Sequence, residues 1–108
     1  DMAPLMAAIV GEGLRGREAA ELFHGALIAA LDEWIGAAAA ARGLARIALG
    51  GGCLMNRVLA DGLGAALRAR GLAPYWPRAV PANDGGVSLG QAAFALARIR
   101  AGASFQED

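Results

Sequence analysis

The chain has 108 residues, 56% of them hydrophobic and 19% charged, against roughly 45–50% apolar and about 25% charged in an average soluble domain. Much of the excess is alanine, and the surplus points to apolar surface intended for another lobe or subunit. Ten arginines balance ten acidic residues without forming a basic stripe or a charged tail, which argues against a nucleic-acid partner; the single cysteine, Cys53, excludes a disulfide framework and a cysteine-based zinc site, and fits a reducing cytoplasm.

In chain order, Asp1-Met2-Ala3-Pro4 lacks the basic region of a signal peptide, and its acidic start suggests that the chain is cut from a longer one. Pro4 suits a first helical turn with Asp1 as cap, so a helix is expected from Ala3 to Val10, broken by Gly11, Gly13 and Gly16. A long helix follows from Arg17 to Arg42. Phe23, Ala26, Leu27, Ala30, Leu31 and Trp34 recur at three- and four-residue spacing on it, and Gly43 stands where a helix-ending glycine belongs. The longest apolar run, near Ala37–Ala41, is far short of the roughly 20 residues that span a bilayer, so no membrane partner is expected.

Ala45 to Leu49 reads as a short buried strand. A third helix is expected from Leu54 to Arg70, with Met55, Leu59, Leu63, Ala66 and Leu67 on one face and Gly71 at its end. Ala73 to Trp76, bounded by Pro74 and Pro77, reads as an edge strand or a connection. Arg78 to Asn83 is a loop, and a last helix runs from Val87 to Ala101 with Leu89, Ala92, Ala93, Leu96 and Ile99 inside. Residues Gly102 to Asp108 form a tail. This order fits an α/β class, mostly helical, with a short parallel strand pair. Two strands make a poor sheet alone, so the missing strands should lie upstream.

Two constellations carry chemistry. Leu49-Gly50-Gly51-Gly52-Cys53-Leu54-Met55-Asn56 joins a strand to a helix start. Glycines there let a ligand approach the backbone, and free helix N–H groups suit a phosphate. On these residues alone, a tight turn without a ligand serves equally well, and neither GxGxxG nor GxxxxGK[ST] is present. Pro81-Ala82-Asn83-Asp84-Gly85-Gly86-Val87-Ser88-Leu89-Gly90-Gln91 puts a carboxylate before the last helix. Asp84 there is a metal ligand in need of partners or simply the N-cap of that helix. Gly85 and Gly86 leave room for something close to the backbone.

Elsewhere, His24 lies within reach of Glu21 on the long helix, but one such pair makes neither a metal nor a catalytic site. Cys53 is expected to pack behind the glycine turn, and Trp34 and Trp76 to be core or interface anchors.

Taken together, the constellations resemble the hydrogenase-maturation carbamoyltransferase (HypF) family. Ala48 to Leu59 is similar to its strand followed by SGGVxxNRxL, and Val80 to Gln91 to its DGG and SLGQ signature. Ala20 to Leu27 resembles its FHxxL helix. The likeness covers residues 3–101 of a single fragment, residues 1–108. It implies the C-terminal lobe of a partial actin-like (ribonuclease H-like) domain. Such an enzyme uses carbamoyl phosphate and ATP, forms carbamoyl-adenylate, and carbamoylates the C-terminal cysteine of a partner maturation protein. The product becomes the cyanide ligand of nickel–iron hydrogenases.

Carried over, Gly51 and Gly52 would lie against nucleotide phosphates and Asn56 would hold the nucleoside. Asp84 would bind a divalent metal (iron, zinc or magnesium), with Gly85 and Gly86 beside it; the catalytic group and the role of His24 stay unassigned. The family's HxxxH metal-binding helix is absent, Gly50 replaces a common serine and Met55 a polar residue. The fragment alone is therefore expected to be inactive, to need the upstream lobe of its own polypeptide, and to be able to pair with itself. Rival readings are a tRNA threonylcarbamoyl-transfer or carbohydrate carbamoyltransferase lobe of the same fold, or a non-catalytic interaction module.

Overall fold

The structure is a computed structural model that describes residues 1–102, so the expected tail lies outside the described residues from position 103 onward. Helix α1 spans Ala3–Gly11, with Pro4 in its first turn and the Asp1 carboxylate accepting from the Ala3 N–H at 2.9 Å. Helix α2, Gly16–Arg42, ends at Gly43, whose φ of 62° is left-handed, as its position predicted.

Strand β1 is Arg46–Ala48 and strand β2 is Ala73–Tyr75. They pair in parallel, with Arg46 opposite Ala73 and Ala48 opposite Tyr75. A parallel pair needs a crossover, and helix α3, Arg57–Ala69, supplies it. Helix α4, Val87–Arg100, follows a loop and a short 3₁₀ turn, Asp84–Gly86. The class is the expected one, a mostly helical α/β lobe with a two-stranded parallel sheet.

The core lies between α2, α3 and the sheet. Its buried hydrophobic residues are Ala39 of α2 and Leu59, Leu63 and Leu67 of α3. Each leucine contributes roughly 1.5–3 kcal/mol by leaving water. Close approach between elements depends on small residues: Gly62 of α3 meets Ile28 of α2, Gly64 sits under the Trp76 ring, and Gly36 faces the Arg70 guanidinium. Arg70 Nε also donates to Asp32 Oδ2 at 2.7 Å, tying α2 to the end of α3.

Several expectations need correction. Trp34, expected as a core or interface anchor, is 69% exposed and so not part of this lobe's core, because the packed face of α2 runs through Ile28, Asp32 and Ala39 instead. Met55 stands outside α3 and is exposed. The apolar residues of α4 were expected inside, yet Leu89, Leu96 and Ile99 are all exposed and no residue of that helix is buried. By length and composition α2 is also apolar enough to cross a membrane, although no single unbroken run shows it. Its bridge from Asp32 to Arg70 and its packing on α3 make it the backbone of this lobe.

The lobe is elongated, 58 × 30 × 30 Å. Its radius of gyration is 17.9 Å, where a compact domain of this length would have about 13 Å. Helices α1 and α4 account for this, since neither buries a residue.

Candidate functional site

The triple glycine does not open directly into α3. Gly52–Met55 forms a 3₁₀ turn first, and α3 begins only after Asn56. Gly51 has φ 114° and ψ 154°, a conformation open essentially only to glycine. Gly50 and Gly52 have no such requirement, and a side chain at either would meet almost nothing: Gly50 has open space, and Gly52 only the Asn83 Cβ at 3.9 Å.

The amides of this region are partly spent. The Gly51 N–H donates to the Ala82 carbonyl at 2.7 Å, so it is not free for an anion as the turn's composition implied. Asn56 lies outside the helix, as its N-cap: Oδ1 accepts from the Val58 N–H at 3.0 Å and the Leu59 N–H at 3.3 Å. Among the described residues, the N–H groups of Gly52 and Cys53 have no acceptor. Those two amides, at the start of the 3₁₀ turn, are unpaired backbone donors of the glycine turn.

The Gly51–Ala82 bond brings the second constellation alongside the first. Asp84 was weighed as the cap of the last helix, but it stands in the 3₁₀ turn before α4, whose N-cap is Gly86 without a side-chain bond. Asn83 caps that 3₁₀ turn instead: its Oδ1 accepts from the Gly85 N–H at 3.0 Å, and its Nδ2 donates to the Met55 sulfur at 3.1 Å. Capping by the neighbour leaves the Asp84 carboxylate exposed and without a partner among the described residues. Gly86 is explained within the chain, because a Cβ there would come within 2.8 Å of the Pro81 carbonyl oxygen. The approach that glycine permits is made by the protein's own loop.

Among the described residues, no three His, Cys, Asp or Glu side chains converge as a metal site. Asp84 alone does not make a metal site, since one carboxylate needs further ligands. A hollow of about 310 Å³ adjoins the turn, walled by Leu54, Met55, Trp76 and Val80 with Arg57 and Asp61 at its rim. That volume sits at the small end of the roughly 300–1,000 Å³ seen for ligand pockets.

His24 does not pair with Glu21, whose carboxylate accepts from Arg17 at 2.6 Å. Its ring instead spans two elements, with Nδ1 2.8 Å from the Ala20 carbonyl and Nε2 2.8 Å from Asn56 Nδ2. Phe23 packs edge-on against that ring at 5.6 Å. Cys53, within the 3₁₀ turn, is exposed rather than packed behind it. Sequence reasoning missed Asn83 as the cap and His24 as the neighbour of Asn56. Adjacent Asn and Asp are equally good caps, and nothing local signals a bond across 32 residues.

Residues 1–91 match the family described as Carbamoyltransferase, Kae1-like Domain, second subdomain. Carbamoyltransferase HypF of Rhizobium leguminosarum bv. viciae is 56% identical over 96 residues, covering 88% of this chain and 13% of that protein. Carbamoyltransferase HypF2 of Cupriavidus necator is 43% identical over 98 residues, covering 91% of this chain and 12% of that protein. The tRNA N6-adenosine threonylcarbamoyltransferase of Sorangium cellulosum is 36% identical over 81 residues, covering 75% of this chain and 23% of that protein. The chain thus spans about an eighth of the length of these HypF relatives. No solved structure matches the chain. A second subdomain of a larger domain agrees with the partial actin-like lobe and with the uncovered faces of α1 and α4.

Proposed function

Because this chain belongs to the HypF carbamoyltransferase family, we propose that it forms one wall of a nucleotide site whose other wall is an upstream lobe of the same polypeptide. The full enzyme would use carbamoyl phosphate and ATP to make carbamoyl-adenylate. In the final step the thiolate of a partner protein's C-terminal cysteine attacks the carbamoyl carbon. A carbon–sulfur bond forms, the carbon–oxygen bond to phosphate breaks, and AMP leaves with the electron pair. The product serves cyanide-ligand assembly in nickel–iron hydrogenase maturation, in the cytoplasm.

In this reading Gly51 shapes the turn, while Gly52 and its neighbour Cys53 present amides to the phosphate. Asn56 contacts the nucleoside, and the hollow beside Leu54 and Trp76 receives its base. Asp84 contributes one carboxylate to a divalent cation, which when bound would offset phosphate charge. Fixed amides aimed at developing charge need no reorganisation during the reaction, which is where such sites gain rate.

The observation that carries the reading is the Gly51–Ala82 hydrogen bond. It sets the open glycine turn beside a carboxylate that the fold leaves unused. The HypF assignment is favoured over threonylcarbamoyl transfer to tRNA by the higher identity to HypF proteins, 56% against 36%.

The test is carbamoyl-adenylate binding to the full-length enzyme, wild type and Asp84→Ala, with and without divalent metal. Binding should weaken in the variant and lose its metal dependence. An affinity that is metal-independent and the same in both proteins would overturn the role of Asp84.

A further inference from the structure

The His24–Asn56 contact assigns every hydrogen atom in it. A carbonyl only accepts, so the 2.8 Å contact between Nδ1 and the Ala20 oxygen puts the ring proton on Nδ1. Nε2 is then bare and accepts from Asn56 Nδ2, also at 2.8 Å. At its other end the Asn56 amide is fixed independently, since Oδ1 faces the Val58 and Leu59 N–H groups and must be the oxygen. Both ends of the amide therefore agree on one orientation.

An asparagine at a helix cap needs only its oxygen for capping. Its NH₂ group carries two donors, and His24 takes one. The second has no acceptor among the described residues. Asn56 is exposed and follows directly on the turn that begins at Gly51.

Resting on the nucleotide reading above, we infer that His24 is a positioning residue. It acts through Asn56, locking that amide so that its free N–H is offered to an oxygen acceptor of the bound nucleoside. Without His24 the amide is held by its oxygen alone, on the Val58 and Leu59 N–H groups, so its Nδ2 end can swing about that anchor and a ligand must reorder it on binding. The cost of that reordering appears in substrate binding rather than in the chemical step. Glutamine at position 24 can place an amide oxygen near the lost Nε2, whereas asparagine is too short to reach.

The experiment compares His24→Ala, His24→Gln, His24→Asn and Asn56→Ser in the full-length enzyme, with carbamoyl-adenylate supplied directly. Serine keeps a capping oxygen and removes the NH₂ donor. The expected result for His24→Ala is a KM for carbamoyl-adenylate raised about three- to tenfold, the worth of one net hydrogen bond, with kcat changed less than twofold. Asn56→Ser should raise KM at least as much, and the double variant should be no worse than Asn56→Ser alone. His24→Gln should recover most of the loss and His24→Asn should not. Should His24→Ala prove insoluble, the Gln and Asn variants make the same comparison.

A KM that rises in Asn56→Ser but not in His24→Ala would overturn the positioning role and leave the nucleotide reading intact. An unchanged KM in Asn56→Ser would overturn the nucleotide reading of Asn56, and the role of His24 with it. A fall in kcat and in melting temperature that Gln does not repair would make His24 a packing residue only.

Discussion

Gly51 and Ala82 are joined by a backbone hydrogen bond of 2.7 Å, between a glycine at φ 114° and a loop residue two positions before Asp84. This bond places the two glycine-bracketed motifs side by side. It also makes Gly51 the position where a side chain is least tolerable. Gly51→Ala should destabilise the lobe by about 1–3 kcal/mol through backbone strain alone, since the surrounding space is open. Gly50→Ala and Gly52→Ala should cost roughly 1 kcal/mol or less, because neither glycine has a positive φ. Thermal melts of the three variants check the contrast. Equal losses at Gly51 and Gly50 would mean that the turn does not hold this conformation.

The core is small enough for one leucine to decide the fold. Leu67 is 0% exposed, and Leu67→Ala should cost about 2–5 kcal/mol. Total stability for a domain of this kind is only about 5–15 kcal/mol. Chemical denaturation should show a lower midpoint. The Asp32–Arg70 bridge is a smaller effect, with side chains 18% and 44% exposed. Asp32→Ala should cost about 1 kcal/mol or less, and a double-mutant cycle with Arg70→Ala should show coupling of the same order.

Helix ends were legible from sequence because their cause is local. Gly43 closes α2 with the left-handed conformation that favours glycine, and the leucine spacing on α3 marks the face that is buried. What escaped depended on distance or on competition. Asn83 and Asp84 are both good caps, and only the folded loop selects Asn83. The offset between the glycines and α3 reflects a 3₁₀ turn, and spacing alone does not separate that from a first α-helical turn. For α4, periodicity predicted an apolar face but not its cover. Leu89, Leu96 and Ile99 point outward because nothing among the described residues packs on them.

Asn83 has a testable role that the sequence did not announce. Its Oδ1 holds the Gly85 N–H and its Nδ2 reaches the Met55 sulfur, so it braces the Asp84 turn against the glycine turn. Asn83→Ala should cost about 1 kcal/mol through the lost cap. On the function proposed above, it should also weaken carbamoyl-adenylate binding to the full-length enzyme, by releasing Asp84 from a fixed position. Asn83→Ser restores a capping oxygen and should recover most of the stability. If Asn83→Ala changes neither melting temperature nor binding, the brace is not a working part of the site.

Helix α4 leads to the prediction most easily checked. Val87, Leu89, Phe94, Leu96 and Ile99 are 47–62% exposed on a single 14-residue helix. Such an apolar surface is unusual on a free-standing protein and normal on one cut from a larger assembly. The chain spans only 13% of the R. leguminosarum protein, and the upstream lobe proposed above would be the missing neighbour. Isolated, the lobe should self-associate, so light scattering should give a mass above 10.9 kDa that falls on dilution. Phe94→Asp combined with Ile99→Asp should return it to a monomer without loss of helical signal, because neither side chain supports the core. Co-expression with the upstream lobe should suppress self-association in the wild type by covering the same helix. A wild-type lobe that stays monomeric at high concentration would show that α4 does not need a cover.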